Sequence, residues 1–223
     1  MTRSHVYWSI ALALVAAAFA ASAAVSPKLP ATVATHWNMQ GKVDGYGPKA
    51  VALLGVPATM VGMLLFFRVL PALSPKNFEV DAFRETYLFL MAATVGLFAY
   101  IHGVALYATW AQVVGAGKGF DIGRVLIGGV FLFFALMGNV MGKVRRNFYI
   151  GVRVPWTLAS DRVWNDTHRL AAWTMVGGGL LGFLAVVAGL PLVPAFAVLI
   201  VSVFIPVVYS FVHYKQLEGR GAL

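Results

Sequence analysis

Apolar residues run along this chain in long blocks, not in the one-sided stripes of soluble helices. Six blocks stand out, at residues 6–25, 50–73, 86–114, 122–142, 170–189 and 192–214. Each holds about 20 residues or more, enough to cross a ~30 Å hydrocarbon slab at ~1.5 Å per helical residue. None alternates strictly between apolar and polar, so helices are predicted rather than strands. The pattern describes an all-α polytopic membrane protein with six transmembrane helices.

Two polar segments interrupt the blocks. Residues 29–50 read LPATVATHWNMQGKVDGYGPKA. Gly41, Asp44, Gly45, Gly47 and Pro48 are turn chemistry, because glycine tolerates positive φ and aspartate bonds its own neighbouring backbone. An ordered interfacial loop is expected, with Trp37 and Tyr46 at headgroup level. The other reading is a recognition surface. His36 and Asp44 alone are too few ligands to argue for a metal site. Residues 138–170 read GNVMGKVRRNFYIGVRVPWTLASDRVWNDTHRL. Asn139 and Asn147 need hydrogen-bond partners wherever they are buried. Pro155, Trp156 and Thr157 form a rigid aromatic corner. Ser160 or Asp161 can cap a helix after that corner. On it, Arg162 and Asp166 stand four apart, with Arg169 three beyond. Trp164 and His168 share another face. The helix is expected either along the membrane surface or as an extension of the fifth span, with His168 packed rather than catalytic.

Composition agrees with a lipid setting. The chain is 60% hydrophobic and 11% charged, where a soluble domain carries about 25% charged residues. It has no cysteine, so disulfides and thiolate chemistry are absent. The net charge of +9 points to the cytoplasmic excess of Lys and Arg in membrane proteins rather than to nucleic acid. With the N-terminus inside, 12 basic residues fall on the cytoplasmic side, against Lys28, Lys42, Lys49, Lys118 and Arg124 outside. The expected orientation is therefore N-in/C-in, with residues 29–50 outside and 143–169 inside. A rival reading takes Ala21-Ser22-Ala23 as a signal-peptide cleavage site, leaving five spans.

Inside the spans, polar chemistry is sparse. His102 stands mid-span near Tyr100 and Tyr107, and one tyrosine hydroxyl is its expected partner. Gly138/Gly142 and Gly178/Gly182 have GxxxG spacing, read here as internal helix packing. No Asp or Glu lies deep in a span, and no H-E-x-x-H, G-x-S-x-G or phosphate-loop motif occurs. No catalytic residue, metal or cofactor is assigned.

Taken together, the two polar segments resemble a known family. Residues 29–49 resemble the N-terminal DUF1648-type segment of SdpI-like membrane proteins, and residues 138–173 resemble the SdpI signature. The resemblance implies an immunity protein that resists a secreted membrane-active toxic peptide. It also implies a receptor that holds a small DNA-binding repressor at the membrane, with no direct nucleic-acid binding by the chain. Carried over, His36, Trp37, Asn38, Gly41, Asp44 and Gly45 would meet the peptide. Asn139, Lys143, Arg145, Asn147, Arg153, Trp156, Trp164, His168 and Arg169 would hold the partner or relay the signal. Arg146 departs from the pattern, which expects proline there. The implied organisation is a two-helix unit (1–73), a third span with linkers (74–121), an SdpI-like unit of three spans (122–214) and a short tail (215–223). The competing readings are a membrane enzyme using His36, Asp44, Asn139, Arg153, His168 and Arg169, and a small transporter. Opposite placement of the loops argues against one shared catalytic site, and the lack of deep carboxylates argues against transport.

Overall fold

Six of the helices among the described residues are long and apolar enough to cross a membrane: Arg3–Lys28, Lys49–Leu73, Val80–Val114, Ile122–Met141, Asp161–Val187 and Leu192–Gly219. The structure, a computed structural model, describes residues 3–38, 41–76, 78–116 and 120–223. Lys118, counted above on the outer side, lies outside them. The α-helices proper are α1 (Arg3–Val25), α2 (Lys49–Val69), α3 (Arg84–Val114), α4 (Ile122–Met141), a short α5 (Pro155–Ala159), α6 (Asp161–Val187) and α7 (Leu192–Gly219). Two strands, β1 (Thr32–Trp37) and β2 (Val43–Pro48), lie between α1 and α2. The chain is an all-α multi-pass membrane protein carrying one small hairpin.

The helices bury narrow seams and expose the rest. Buried residues recur at Ala11, Val15, Ala18 and Ser22 on α1, and at Leu53, Pro57, Met60 and Leu64 on α2. The 4-3-4 spacing keeps one stripe facing inward. Outside the seams, large apolar side chains stay exposed, such as Leu65 and Phe66 on α2 or Phe204 and Val208 on α7. In water such a surface would aggregate. In lipid it carries no such penalty.

Two compact units divide the chain: Met1–Arg68 with Met91–Val130, and Val69–Leu90 with Phe131–Leu223. In the first, one serine stitches three helices. Pro57 has no N–H to offer the Leu53 carbonyl four residues back. Ser22 Oγ supplies that proton instead, at 2.6 Å. The same oxygen lies 2.8 Å from His102 Nε2. The expected tyrosine partner is thus corrected: Tyr100 donates to the Val125 carbonyl, and Tyr107 packs edge-on against Phe120. A small core of Leu29, Val33, Leu53 and Leu106, with Trp110 against it, holds the hairpin to the helices.

The segment expected as a loop is an antiparallel hairpin. Thr32 pairs with Pro48 and Trp37 with Val43, with irregularities around His36. Thr32, Val33 and Thr35 favour extended backbone. The pairing also depends on a distant helix: Thr109 Oγ1 on α3 donates to the Ala34 carbonyl at 3.2 Å.

In the second unit, α6 and α7 form an antiparallel pair. Two glycines, Gly138 of one predicted motif and Gly179 next to the other, allow close packing within the unit. A Cβ on Gly179 would stand 2.7 Å from the Ala135 nitrogen of α4, and one on Gly138 would stand 2.8 Å from the Val176 nitrogen of α6. Gly142 meets nothing nearer than 3.9 Å, so only part of that motif is used. Helix α6 begins at Asp161, nine residues before the hydropathy boundary. Its polar first turns extend the span rather than lying apart from it. Ser160 is its cap, accepting from the Val163 N–H. Helix α7 runs on to Gly219, so most of the expected tail is helical.

Candidate functional site

The hairpin brings most of the predicted outer residues together. His36 Nδ1 and Asp44 Oδ1 meet at 2.5 Å on an exposed face. Gly45 stands opposite His36, where a Cβ would come within 2.9 Å of the histidine Cβ. Asn38 shapes the turn: its side-chain oxygen accepts from the Lys42 N–H, and its carbonyl accepts from Gly41 N–H. Gly41 holds φ at 71°, a value that favours glycine. Trp37, Gly41 and Val43 border a cleft of about 370 Å³, closed on its other side by Gln112, Phe120 and Ile122. Thus Trp37 and Gly41 reach this cleft, while His36 and Asp44 are not among the residues lining it. Among the described residues no group of three or more His, Cys, Asp or Glu could hold a metal ion.

The basic loop of the second unit is organised from inside by Asn147, which has no exposed surface. Its amide nitrogen donates to the carbonyls of Arg145 (2.7 Å) and Ile150 (3.1 Å). Its oxygen accepts from the N–H groups of Tyr149 (2.7 Å) and Ile150 (2.8 Å). An amide side chain offers two donors and two acceptor sites, so this one is fully used. Asn139, by contrast, lies exposed near the end of α4, and the burial that would require partners does not arise.

His168 and Trp164 lock the loop onto α6. Both are buried, and their rings stack at 4.0 Å. Trp164 Nε1 donates to the Val144 carbonyl at 2.8 Å. His168 Nε2 accepts from the Val152 N–H at 3.0 Å, so the ring proton sits on Nδ1, 2.8 Å from the Trp164 carbonyl. With both nitrogens committed, this imidazole is a neutral brace with no free lone pair. Gly151 makes the approach possible: it holds φ at 109°, and a Cβ there would fall 2.1 Å from His168 Nε2.

The corner at residues 155–157 is secured twice. Buried Thr157 Oγ1 donates to the Val152 carbonyl and accepts from the Val154 N–H. Trp156 Nε1 donates to Ser210 Oγ on α7, and its ring packs edge-on to Phe211. The expected Arg162–Asp166 pair is replaced by a contact between helices: Asp166 Oδ2 lies 3.0 Å from His213 Nε2 on α7. Spacing along α6 cannot foresee that α7 brings a histidine there.

Arg146, the departure from the family pattern, is tied down. Its Nε lies 2.8 Å from Asp161 Oδ1, its Nη1 donates to the Leu158 carbonyl at 2.7 Å, and its guanidinium covers the Phe78 ring at 5.2 Å. Such charge-assisted and cation–π contacts orient a planar group well. Lys143, Arg145, Arg153 and Arg169 remain exposed, although Arg153 also donates to the Phe148 carbonyl. Of these four, Arg145 borders a polar cavity of about 460 Å³, lined also by Glu79, Ala82, Arg146, Asp161 and Asn165. Sequence reasoning missed Gly151, Ser210 and His213. A glycine amid basic residues was the one visible signal, since the other two act through distant partners.

Comparison with known proteins follows the same division. The family described as the SdpI/YfhL protein family matches residues 143–210, and the domain of unknown function DUF1648 matches residues 13–61. The chain is 25% identical over 216 residues to the immunity protein SdpI of Bacillus subtilis (strain 168), covering 94% of this chain and 97% of that protein. No solved structure matches. The chain is thus similar to the SdpI/YfhL family over residues 143–210, with a match to DUF1648 ahead of that stretch.

Proposed function

We propose that this protein is a membrane immunity protein, which protects its cell from a secreted membrane-active peptide. The observation that carries this reading is the similarity to an immunity protein along nearly the whole of both chains. In this reading both termini face the cytoplasm and the hairpin faces outward. Peptide recognition falls to His36, Trp37, Asn38, Gly41, Asp44 and Gly45. The cleft beside Trp37 takes an apolar side chain of the peptide, and Gln112 offers a polar contact at its edge. The basic loop, braced by Asn147, Trp164 and His168, presents Lys143, Arg145, Arg153 and Arg169 to a cytoplasmic partner, for which a small repressor is the candidate. The role is non-catalytic: the one buried imidazole of the loop is occupied on both nitrogens.

Binding of the killing peptide resisted by the family's founding member, measured on the full chain in lipid nanodiscs, tests recognition. Saturable binding is expected, weakened at least about tenfold by Trp37→Ala, in the range for an aromatic anchor. Equal binding to empty nanodiscs would overturn it.

A further inference from the structure

A second apolar feature of the first unit lies away from the hairpin cleft. A groove of about 500 Å³ runs between α1 and α2, with Phe19, Ala23, Leu53 and Leu54 along it and Ser22 buried beneath. Phe19 and Leu54 are 38% and 50% exposed, so the groove opens sideways into the medium around the helices. Its walls are hydrocarbon, and Ser22 has already committed its hydroxyl to Leu53 and His102. The groove therefore suits an alkyl chain and offers little to a polar ligand.

One end differs. Lys49, the first residue of α2, is half-buried there. Its ammonium lies 3.4 Å from the carbonyls of Ser26 and Leu29. An ammonium has three protons, so one is left for a ligand. In the first turn of α2 the Lys49 N–H already donates to the Ala31 carbonyl at 2.9 Å; the N–H groups that follow it lack side-chain caps and place partial positive charge at the same end. An apolar channel with a cation at its interfacial end has the charge pattern of a lipid read in reverse.

We propose that this groove binds an acyl chain of an anionic phospholipid, with the phosphodiester on Lys49 and the first turn of α2. A zwitterionic headgroup would bring a second cation towards Lys49, whereas phosphatidylglycerol would not. The site is independent of the immunity reading, and either can fail without the other.

Native mass spectrometry of the full chain in detergent tests it, with phosphatidylglycerol and phosphatidylcholine of identical acyl chains supplied in equal amounts. Wild-type protein should retain phosphatidylglycerol preferentially. Lys49→Gln should reduce that retention about fivefold, the ratio implied by one basic residue near an anionic surface. Lys49→Arg should preserve it, and so should Lys42→Gln on the hairpin. Ala23→Trp, which fills the groove, should remove both lipids while helical content is unchanged. Equal retention of the two lipids by wild type, or the same effect from Lys49→Gln as from Lys42→Gln, would overturn the proposal. Should Lys49→Gln fail to fold through loss of its carbonyl contacts, Lys49→Arg and Ala23→Trp decide: lost preference in the former, or undiminished retention in the latter, overturns it.

Discussion

Replacing Asn147 by aspartate keeps the side chain's shape and reverses half of its chemistry. The two acceptor bonds from Tyr149 and Ile150 survive. The two donor bonds do not: an oxygen now faces the Arg145 carbonyl at 2.7 Å and the Ile150 carbonyl at 3.1 Å. Two lost hydrogen bonds amount to about 2 kcal/mol. A buried charge without a partner raises the loss to about 3–5 kcal/mol, a large share of the ~5–15 kcal/mol that stabilises a typical fold. Denaturant unfolding in detergent, followed by tryptophan fluorescence, measures it. Trypsin cleavage after Arg145 and Arg153 should accelerate in parallel. Acidification protonates the new carboxyl and returns one donor, so the deficit should shrink as pH falls. Asn139→Asp is the control, since that residue is exposed, and its change should stay within about 0.5 kcal/mol. If Asn147→Asp matched Asn139→Asp in both unfolding and proteolysis, the view of this loop as a structured element would be wrong.

Two further substitutions test other joints. Gly151→Ala places a methyl on His168 and forces a non-glycine residue to a φ of 109°; unfolding should show a loss of about 2–4 kcal/mol, with loop proteolysis accelerated. Ser22→Ala leaves both the Leu53 carbonyl and His102 Nε2 without their serine partner; at about 1–3 kcal/mol per unsatisfied group, with no water in the hydrocarbon to substitute, a thermal-unfolding assay should register a clear loss.

The spans were legible because membrane crossing needs run length, which hydropathy reads directly. Hydropathy misses the start of α6, since residues 161–169 are polar on one face and buried on the other; the Ser160 cap is what marked it in the sequence. The Trp164/His168 face followed from i, i+4 spacing. The partners of those two residues, at Val144 and Val152, depend on how the loop folds back. The hairpin escaped for a similar reason. Its glycines read as turns, while a contact that ties its first strand to the helices comes from α3, 75 residues from Ala34 at Thr109. Arg146 looked like a flaw in a motif. In the fold it joins Asp161, Leu158 and Phe78, three positions that sequence proximity does not connect.

Survival of a toxin-sensitive strain measures the central claim most directly, with the killing peptide titrated over cells that express this chain and membrane accumulation checked by immunoblot. The immunity reading predicts that the wild-type chain raises the lethal peptide concentration at least about tenfold, and that Trp37→Ala abolishes most of that gain at equal accumulation. Killing curves identical to those of the empty strain, with the protein present in the membrane, would contradict it.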